Sequence, residues 1–296
     1  MAKNILHMMT PLGHMSPFDV NMALDAGYDA TASYTNVSLD EITDLVQDAM
    51  FSRSPRDTAR TGVFIGGNDA LLALDMLDAA GKALFKPFEI SLFADPAGSF
   101  TTAAAMIAVV EKTLREKKDH ALRGSAVSVF GATGVVGTAS GVIAALEGAS
   151  VTFVGRDGTD RIARHASEVN RRFGVNIVVA DGSTPTARAA ILTTTEVVLC
   201  TSKAGVRVLH AAEIAGALKL LVAADVNAVP PSGIEGIDAD ANGTPVGERG
   251  ALGVGALAIG NVKYRTESGL FKQMTESKTP LRLDFRQAFD LARTLA

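Results

Sequence analysis

The sequence is poor in cysteine, aromatic residues and long apolar runs, and each shortage excludes a class of protein. Its single cysteine, Cys200, excludes an internal disulfide and suits a reducing compartment, so a cytoplasmic protein is expected. The absence of tryptophan argues against a stacking surface for single-stranded nucleic acid. No apolar run reaches the roughly 18 residues that span a bilayer, and the first residues turn polar too early for a signal peptide. Cys200 itself ends the apolar run VVLC and is expected to be a small buried hydrophobe.

Charge and ligand spacing exclude further classes of function. The net charge is −4 and no basic run occurs, so neither nucleic acid nor an anionic membrane is an expected partner. The five histidines lack metal-ligand spacing with cysteine or carboxylate, so we predict no metal site. The sequence also lacks a phosphate loop ending in Gly-Lys-Ser/Thr, a tyrosine with a lysine four residues on, and a G-x-S-x-G elbow.

The most informative segment runs AVSVFGATGVVGTASGVIAALEGASVTFVGR. It predicts an apolar strand (Ala126 to Phe130), a glycine turn, a helix and a second strand (Ser150 to Val154). Glycines at 131, 134 and 137 would let the chain reverse and its backbone approach a pyrophosphate at the helix N-terminus. The spacing G-x-x-G-x-x-G differs from G-x-G-x-x-G, and an ordinary tight turn is the alternative, but the context favours dinucleotide binding. The cofactor-binding residues predicted here are Gly131, Thr133, Gly134, Val135 and Val136.

The end of the second strand bears on which dinucleotide binds. A strict NAD enzyme usually carries an acidic residue there, whereas this strand closes with Gly155 and Arg156, followed by Asp157. The Arg156 guanidinium suits a 2′-phosphate, and Asp157 suits a 2′-hydroxyl. A solvated loop charge is the alternative for Arg156. NADP is therefore favoured as the cofactor, and NAD stays open.

Strand and helix patterns alternate along almost the whole chain, which predicts an α/β fold of two domains, each with a mainly parallel sheet. The most polar stretch, Arg115 to Gly124, indicates the domain boundary. We predict an α/β domain over 1–120, to which a C-terminal helix within 280–296 returns. A Rossmann-type domain is predicted over 121–279.

Four polar or glycine-rich clusters follow predicted strands, where ligands of open α/β sheets bind. A structural role competes in each: Asp19 and Thr101 could only cap helices, and Asn227 could only close a turn. Lys263 could be a solvated helix charge. The substrate-binding residues predicted here are Ser16, Pro17, Asp95, Ser99, Thr101 and Thr102. The further cofactor-binding residues predicted here are Thr201, Ser202, Asn227 and Gly255.

Six motifs spread along the chain are HMSPFDVNMALDAG, FIGG, FADPAGSFTTAAAM, GATGVVG, DVNAVPPSGIEGID and GVGALAIGNVKY. At these motifs the chain resembles, essentially end to end, the NAD(P)-dependent methylene-tetrahydromethanopterin dehydrogenases of methylotrophic bacteria. The resemblance is to the branch that uses both NAD and NADP. It implies a homo-oligomer of two-domain subunits, with the pterin in the cleft between domains, acting in one-carbon metabolism (formaldehyde oxidation).

The resemblance also implies site residues. In the strictly NADP-dependent relatives, a phenylalanine in the segment matching Phe18 faces the pterin, together with a lysine and a histidine late in the chain. Phe18 carries over, but the late pair does not, because Ala258-Ile-Gly-Asn-Val-Lys263 stands there with a one-residue shift. We take Lys263 as the substitute. The residues predicted to act on the substrate are Phe18, Asp19 and Lys263.

The implied chemistry needs few acid–base residues. Oxidising the methylene bridge removes a hydride and leaves an amidinium-like methenyl cation, so no proton has to move. The protein must hold the bridging carbon aligned and roughly 3–3.5 Å from the nicotinamide C4. Phe18 would serve as an apolar wall, and Asp19 or Asp95 would stabilise the cation. Two alternatives remain: a methylene-tetrahydrofolate dehydrogenase, and a nucleotide-sensing protein without turnover.

Overall fold

A computed structural model describes residues 2–296, and strands and helices alternate through most of them. The strands are β1 (Ile5–Met9), β2 (Ala30–Tyr34), β3 (Thr61–Ile65), β4 (Ser91–Ala94), β5 (Ala126–Phe130), β6 (Ser150–Gly155), β7 (Val178–Asp181), β8 (Val197–Cys200), β9 (Val222–Asp225), β10 (Asn242–Val246), β11 (Ala251–Val254) and β12 (Arg282–Leu283). The α-helices are α1 (Pro17–Asp25), α2 (Ile42–Phe51), α3 (Ala70–Ala83), α4 (Ser99–Lys118), α5 (Val135–Leu146), α6 (Asp160–Phe173), α7 (Pro185–Leu192), α8 (Ala211–Gly216), α9 (Ala256–Glu276) and α10 (Phe285–Leu295). Within residues 2–296, no helix combines the length and hydropathy that crossing a membrane requires.

The chain divides into two compact units. Unit 1 extends to Thr101 and resumes over Tyr264–Leu295, which includes α10, whereas unit 2 is Thr102–Lys263 together with Ala296. Both changes of unit fall inside long helices, α4 and α9, and lie earlier in the chain than the predicted boundaries at 120/121 and 279/280. The polar stretch from Arg115 to Gly124 marks the end of α4 at the protein surface. A polar composition cannot show where, within one helix, the residues stop packing on one unit and start packing on the other.

Unit 1 is built on a five-stranded sheet in the order β12-β4-β3-β1-β2, with all neighbours parallel. Its strands β3 and β4 are buried along their whole length, as expected for a parallel sheet. Phe64 and Phe93 from these strands pack edge-on or tilted against Phe271 of α9, with ring centroids 5.2 to 5.4 Å apart. The strand order reverses between β1 and β3, and ligands of such sheets bind beyond the carboxyl ends at that point.

Unit 2 contains a seven-stranded sheet in the order β10-β11-β9-β8-β5-β6-β7. Only β10 runs antiparallel, pairing with β11 at the edge. Without β10, this is the doubly wound dinucleotide-binding order, which reverses between β5 and β8. The β10–β11 hairpin is held by α4, where Lys117 Nζ donates to the carbonyl oxygens of Asn242 and Gly243 at 2.9 Å. The predicted α/β class with two mainly parallel sheets is confirmed.

Close packing of α5 on β6 depends on a glycine in the helix. A Cβ on Gly141 would lie 2.2 Å from Cε1 of Phe153, whose ring is fully buried in the sheet. Interiors are packed too tightly for that ring to withdraw freely. Gly141 therefore sets how near α5 can approach the sheet that carries the turn before it.

We predict that Gly141→Ala lowers the free energy of unfolding by about 1–3 kcal/mol, because the added methyl overpacks the core. Gly216→Ala in α8 is the matched control, since a Cβ there meets nothing within 4 Å. The control should be neutral or stabilise by up to about 1 kcal/mol, as alanine usually does in a helix. Urea unfolding of both variants measures the difference, and equal midpoints would contradict the packing account.

Candidate functional site

The ends of β5 and β8 are joined where the strand order of unit 2 reverses. The Phe130 carbonyl oxygen accepts from the Thr201 N–H at 2.8 Å and from Thr201 Oγ1 at 2.9 Å. Gly131 follows with φ +84°, and a Cβ on it would lie 2.6 Å from the Thr201 carbonyl oxygen. A Cβ on Gly137 would lie 2.5 Å from the Gly131 carbonyl oxygen. The first turn of α5 is thus seated directly on the two strand ends.

Gly134 has a different environment from its two neighbours in the motif. It is the N-cap of α5 and has an extended backbone, and a Cβ there would meet only the Gly131 carbonyl oxygen, at 3.3 Å. Its N-cap position brings no side-chain hydrogen bond to the helix. Val135 and Val136 follow, and N–H groups in the first turn of a helix have no intrahelical acceptor. A helix N-terminus with these free N–H groups and this open space suits an anion that approaches closely.

A cavity of about 510 Å³ opens at this helix N-terminus. Its lining includes eight residues predicted to bind the cofactor: Gly131, Thr133, Gly134, Gly155, Arg156, Asp157, Thr201 and Ser202. It also includes residues that were not predicted: Arg161, Gly182, Arg188, Lys203, Arg207 and His210, with an apolar part formed by Phe130, Ala132, Val154, Ile162, Val206 and Val208. Strand ends and the helix N-terminus therefore converge on one pocket, and cofactor binding by these residues stays a prediction.

The cavity is rich in positive charge. Five lysine or arginine side chains line it, against the single carboxylate of Asp157. Two of these cations are paired: Arg188 Nε lies 2.8 Å from Glu213, and Arg207 Nη1 lies 2.8 Å from Glu235. Arg156 and Lys203 are exposed at the ends of β6 and β8. The surplus suits a ligand that carries several phosphates.

Arg161 of α6 connects this helix to the glycine turn in unit 2. It lies in the first turn of α6, and its Nη2 donates to Thr133 Oγ1 at 3.4 Å. Sequence reasoning missed it because an exposed arginine on a strongly amphipathic helix reads as a solvated charge. Its position five residues beyond Arg156, at a helix N-terminus that follows a strand, was the available signal.

Four of the predicted cofactor-binding residues are not part of this cavity lining: Val135, Val136, Asn227 and Gly255. The last two have structural roles. Asn227 Oδ1 accepts from the N–H groups of Gly205 and Val229, and its Nδ2 donates to the Pro231 carbonyl oxygen at 3.0 Å. A Cβ on Gly255 would lie 2.1 Å from the Asp238 carbonyl oxygen. Asn227 thus closes a loop in the structure. Contact of Asn227 or Gly255 with a cofactor stays a prediction.

Cys200 is fully buried at the end of β8, as expected. Burial, and secondarily the charge of Asp225, raises the pKa of the thiol to about 12. Such a thiol stays protonated and packs as a small apolar group. Among residues 2–296, no group of three or more His, Cys, Asp or Glu side chains comes together as a metal site.

A second candidate region lies in unit 1, beyond the carboxyl ends of β1 and β3. Ser16 caps α1 by accepting from the Asp19 N–H at 3.3 Å, and Pro17 takes the first helical position. A Cβ on Gly66, which follows β3, would lie 3.4 Å from Met15 Sδ, so this loop sits beside the strand end. The helix start therefore lies at the reversal of strand order, where a ligand of this sheet is expected.

Phe18 and Asp19 point to different surroundings at this helix start. Phe18 is 45% exposed, whereas Asp19 is only 2% exposed. The Phe18 ring meets Tyr264 of α9 edge to face, with centroids 6.4 Å apart. Of the three residues predicted to act on substrate, Phe18 is thus accessible and Asp19 is buried. Lys263, half-buried on α9, directly precedes Tyr264.

Asp95 and Thr101 form a buried cap on α4. Asp95 is fully buried, and its Oδ1 accepts from the N–H groups of Phe100 and Thr101. Thr101, also fully buried, donates from Oγ1 to Asp95 Oδ2 at 2.6 Å. The helix-capping role that was the structural alternative for Thr101 is therefore observed. Because Asp95 is fully buried, it could influence a substrate only electrostatically and not by direct contact. Ser99 is buried and Thr102 is half-buried, and their roles in substrate binding stay predictions.

Comparisons with known proteins identify the relatives of this chain. A family model described as "Methylene-tetrahydromethanopterin dehydrogenase, N-terminal" matches residues 17–97. The chain is 51% identical over 296 residues, 100% of both proteins, to the "NAD(P)-dependent methylenetetrahydromethanopterin dehydrogenase" of Methylorubrum extorquens. It is 32% identical, again over 100% of both, to the "Bifunctional protein MdtA" of the same organism. Among solved structures, quinate dehydrogenase from Corynebacterium glutamicum in complex with NAD has a TM-score of 0.53 at 14% identity, covering 99% of each chain. That structural likeness shows the fold alone.

We predict that Gly134→Val weakens NADP binding by roughly tenfold or more while the protein stays folded, because its methyls would occupy the space that a pyrophosphate needs. Calorimetry gives the NADP Kd, and thermal unfolding checks the fold. Gly137→Ala is the contrasting variant, since its methyl meets backbone at 2.5 Å and should lower stability. An unchanged Kd for Gly134→Val would contradict the assignment of this turn.

Proposed function

We propose, from the premise that this chain belongs to the methylene-tetrahydromethanopterin dehydrogenase family, that it is an NAD(P)-dependent oxidoreductase. It transfers a hydride from methylene-tetrahydromethanopterin to NAD(P)⁺ and yields methenyl-tetrahydromethanopterin. The observation that carries this conclusion is 51% identity along the whole chain to a dehydrogenase of that name. The cation-lined cavity at the glycine turn supports it independently.

The residues of unit 2 fit a dinucleotide. Gly134 leaves room at the N-terminus of α5, where the first N–H groups would hold the pyrophosphate. When bound, the nicotinamide accepts the hydride. Thr201 and Ser202, at the end of β8, lie on the other side of the switch point and complete the cradle. Polar backbone and positive charge together make this a site for a phosphorylated cofactor rather than for a neutral metabolite.

Use of both NADP and NAD follows from two neighbouring residues of the cavity. Arg156 can donate two parallel hydrogen bonds to a 2′-phosphate, and Asp157 can accept a hydrogen bond from a 2′-hydroxyl. Arg161 lines the same cavity and adds a second guanidinium. We therefore assign NADP binding to the arginines and leave NAD binding to Asp157.

We predict that Arg156→Ala weakens NADP by roughly tenfold and NAD far less, because only NADP offers a 2′-phosphate for a charge-assisted bond of about 1.5 kcal/mol or more. Arg164→Ala is the matched control, since it removes one exposed arginine of α6 that does not line the cavity. Kd values for both cofactors are measured by calorimetry. Equal losses for NADP and NAD would assign Arg156 to solvent or to adenine stacking.

The residues of unit 1 would hold the substrate. Ser16 and Pro17 fix the start of α1, which presents the exposed Phe18 ring at the switch point. Ser99 and Thr102 flank the cap formed by Asp95 at the start of α4. Loss of a hydride leaves a cation, and the buried carboxylates of Asp19 and Asp95 favour that charge electrostatically. No proton moves in this reaction, so no residue is needed as a general base.

The cellular setting is also a proposal. A single cysteine, buried and free, supports a reducing compartment such as the cytoplasm. The family resemblance supports a role in one-carbon metabolism (formaldehyde oxidation), and the name of the 51% identical relative supports a pterin-bound carbon as the substrate. A homo-oligomer rests on the family resemblance.

A steady-state assay at 340 nm with both pterins and both cofactors tests the function. We expect reduction of NADP and NAD with methylene-tetrahydromethanopterin, and a kcat/KM for methylene-tetrahydrofolate that is lower by at least roughly tenfold. A preference for the folate would make the chain a methylene-tetrahydrofolate dehydrogenase. If no pterin produced reduced cofactor while NADP still bound, the nucleotide-sensing alternative would replace the enzyme.

A further inference from the structure

The chain has three tyrosines, and only one of them presents an exposed ring. Tyr28 is buried and packs on Phe271, and the hydroxyl of Tyr34 meets His7 Nδ1 at 3.0 Å. Tyr264, in the middle of α9, is 50% exposed. Tyr28 and Tyr34 therefore have structural roles in unit 1. Half of Tyr264 is exposed to solvent, so packing in the core does not account for its ring.

Tyr264 and Phe18 form a corner of two rings within unit 1. Their planes are inclined by 82° and their centroids lie 6.4 Å apart, which is edge-to-face geometry. Both rings remain about half exposed despite this contact. A flat heteroaromatic ring that stacks on one of two perpendicular rings presents its edge to the other. The corner therefore offers two aromatic contacts to one planar ligand.

The corner lies at the place where a ligand of unit 1 is expected. Phe18 is the second residue of α1, which begins beyond the carboxyl end of β1, at the reversal of strand order. A single exposed apolar residue needs no explanation, but two adjoining rings at a ligand-binding edge do. The side chain of Asp19, the next residue in the chain after Phe18, is buried. The accessible surface at this helix start is thus aromatic.

We propose that Tyr264 binds the substrate pterin, forming with Phe18 an aromatic corner that grips the planar part of the pterin and sets its orientation. This inference rests on the proposed function and adds a residue to it. The ring of Tyr264 supplies the contact, and its hydroxyl is dispensable. Tyr264 acts on substrate affinity and alignment, and it leaves cofactor binding untouched.

The test compares Tyr264→Ala, Tyr264→Leu and Tyr264→Phe in steady-state assays with methylene-tetrahydromethanopterin and NADP. We expect Tyr264→Ala and Tyr264→Leu to raise the pterin KM by about three- to tenfold, with the NADP KM unchanged and Tyr264→Phe close to wild type. Phe85→Ala is the matched control, because it removes an exposed aromatic ring of unit 1 that packs on Phe51 and Phe88 instead. It should leave both KM values unchanged.

A double variant, Phe18→Ala with Tyr264→Ala, tests whether the two rings act as one corner. The KM rise of the double variant should be smaller than the product of the single rises, since either loss breaks the corner. Wild-type activity together with an unchanged pterin KM in Tyr264→Ala or Tyr264→Leu would overturn the inference alone. Loss of function in Tyr264→Phe equal to that in Tyr264→Ala would also overturn it. A wild-type protein without pterin-dependent activity would overturn the proposed function and this inference together.

Discussion

The carbonyl oxygen of Phe130, with its two hydrogen bonds from Thr201, is the constraint on which the candidate cofactor site depends. It joins β5 to β8 where the strand order reverses. The Thr201 backbone then lies so close to Gly131 that a Cβ at this position would clash with it. α5 is then seated on that junction through Gly137, so its N-terminus opens into the cavity. Thr138 stabilises the turn further, because its Oγ1 donates to the Ala132 carbonyl oxygen and lies 2.8 Å from His165 of α6.

The use of carboxylates in unit 1 fits a reaction without proton transfer. Asp95, which directly follows β4, caps α4 and has no exposed surface. A general acid or base must reach the proton that it moves, and a fully buried cap cannot do so without local opening. A fixed negative charge needs no such access to stabilise a cation nearby. Hydride removal therefore suits a site that exposes an aromatic ring and buries its aspartates.

The sequence predicted the strands and the helix around the glycine turn more completely than the residues that line the cavity. The strand–turn–helix at β5 and α5 was predicted because glycine spacing and apolar runs act locally. The strand β2, whose alternation of Ala, Thr and Ser is weakly apolar, was not predicted, nor was the antiparallel β10 with its proline. Arg161, Arg188 and Lys203 enter the cavity through the fold of unit 2, which brings the ends of separate strands together. Such convergence has no local signature in a single sequence.

The central claim is that this chain aligns a pterin for direct loss of a hydride, with no proton exchanged. Single-turnover oxidation of tetrahydromethanopterin that carries a dideuterated methylene bridge, with NADP⁺ in ordinary water, measures this most directly. Direct hydride transfer predicts one deuterium in the reduced cofactor, one in the methenyl product and none in the solvent, as mass spectrometry would show. Deuterium released into water, or reduced cofactor without deuterium, would contradict it.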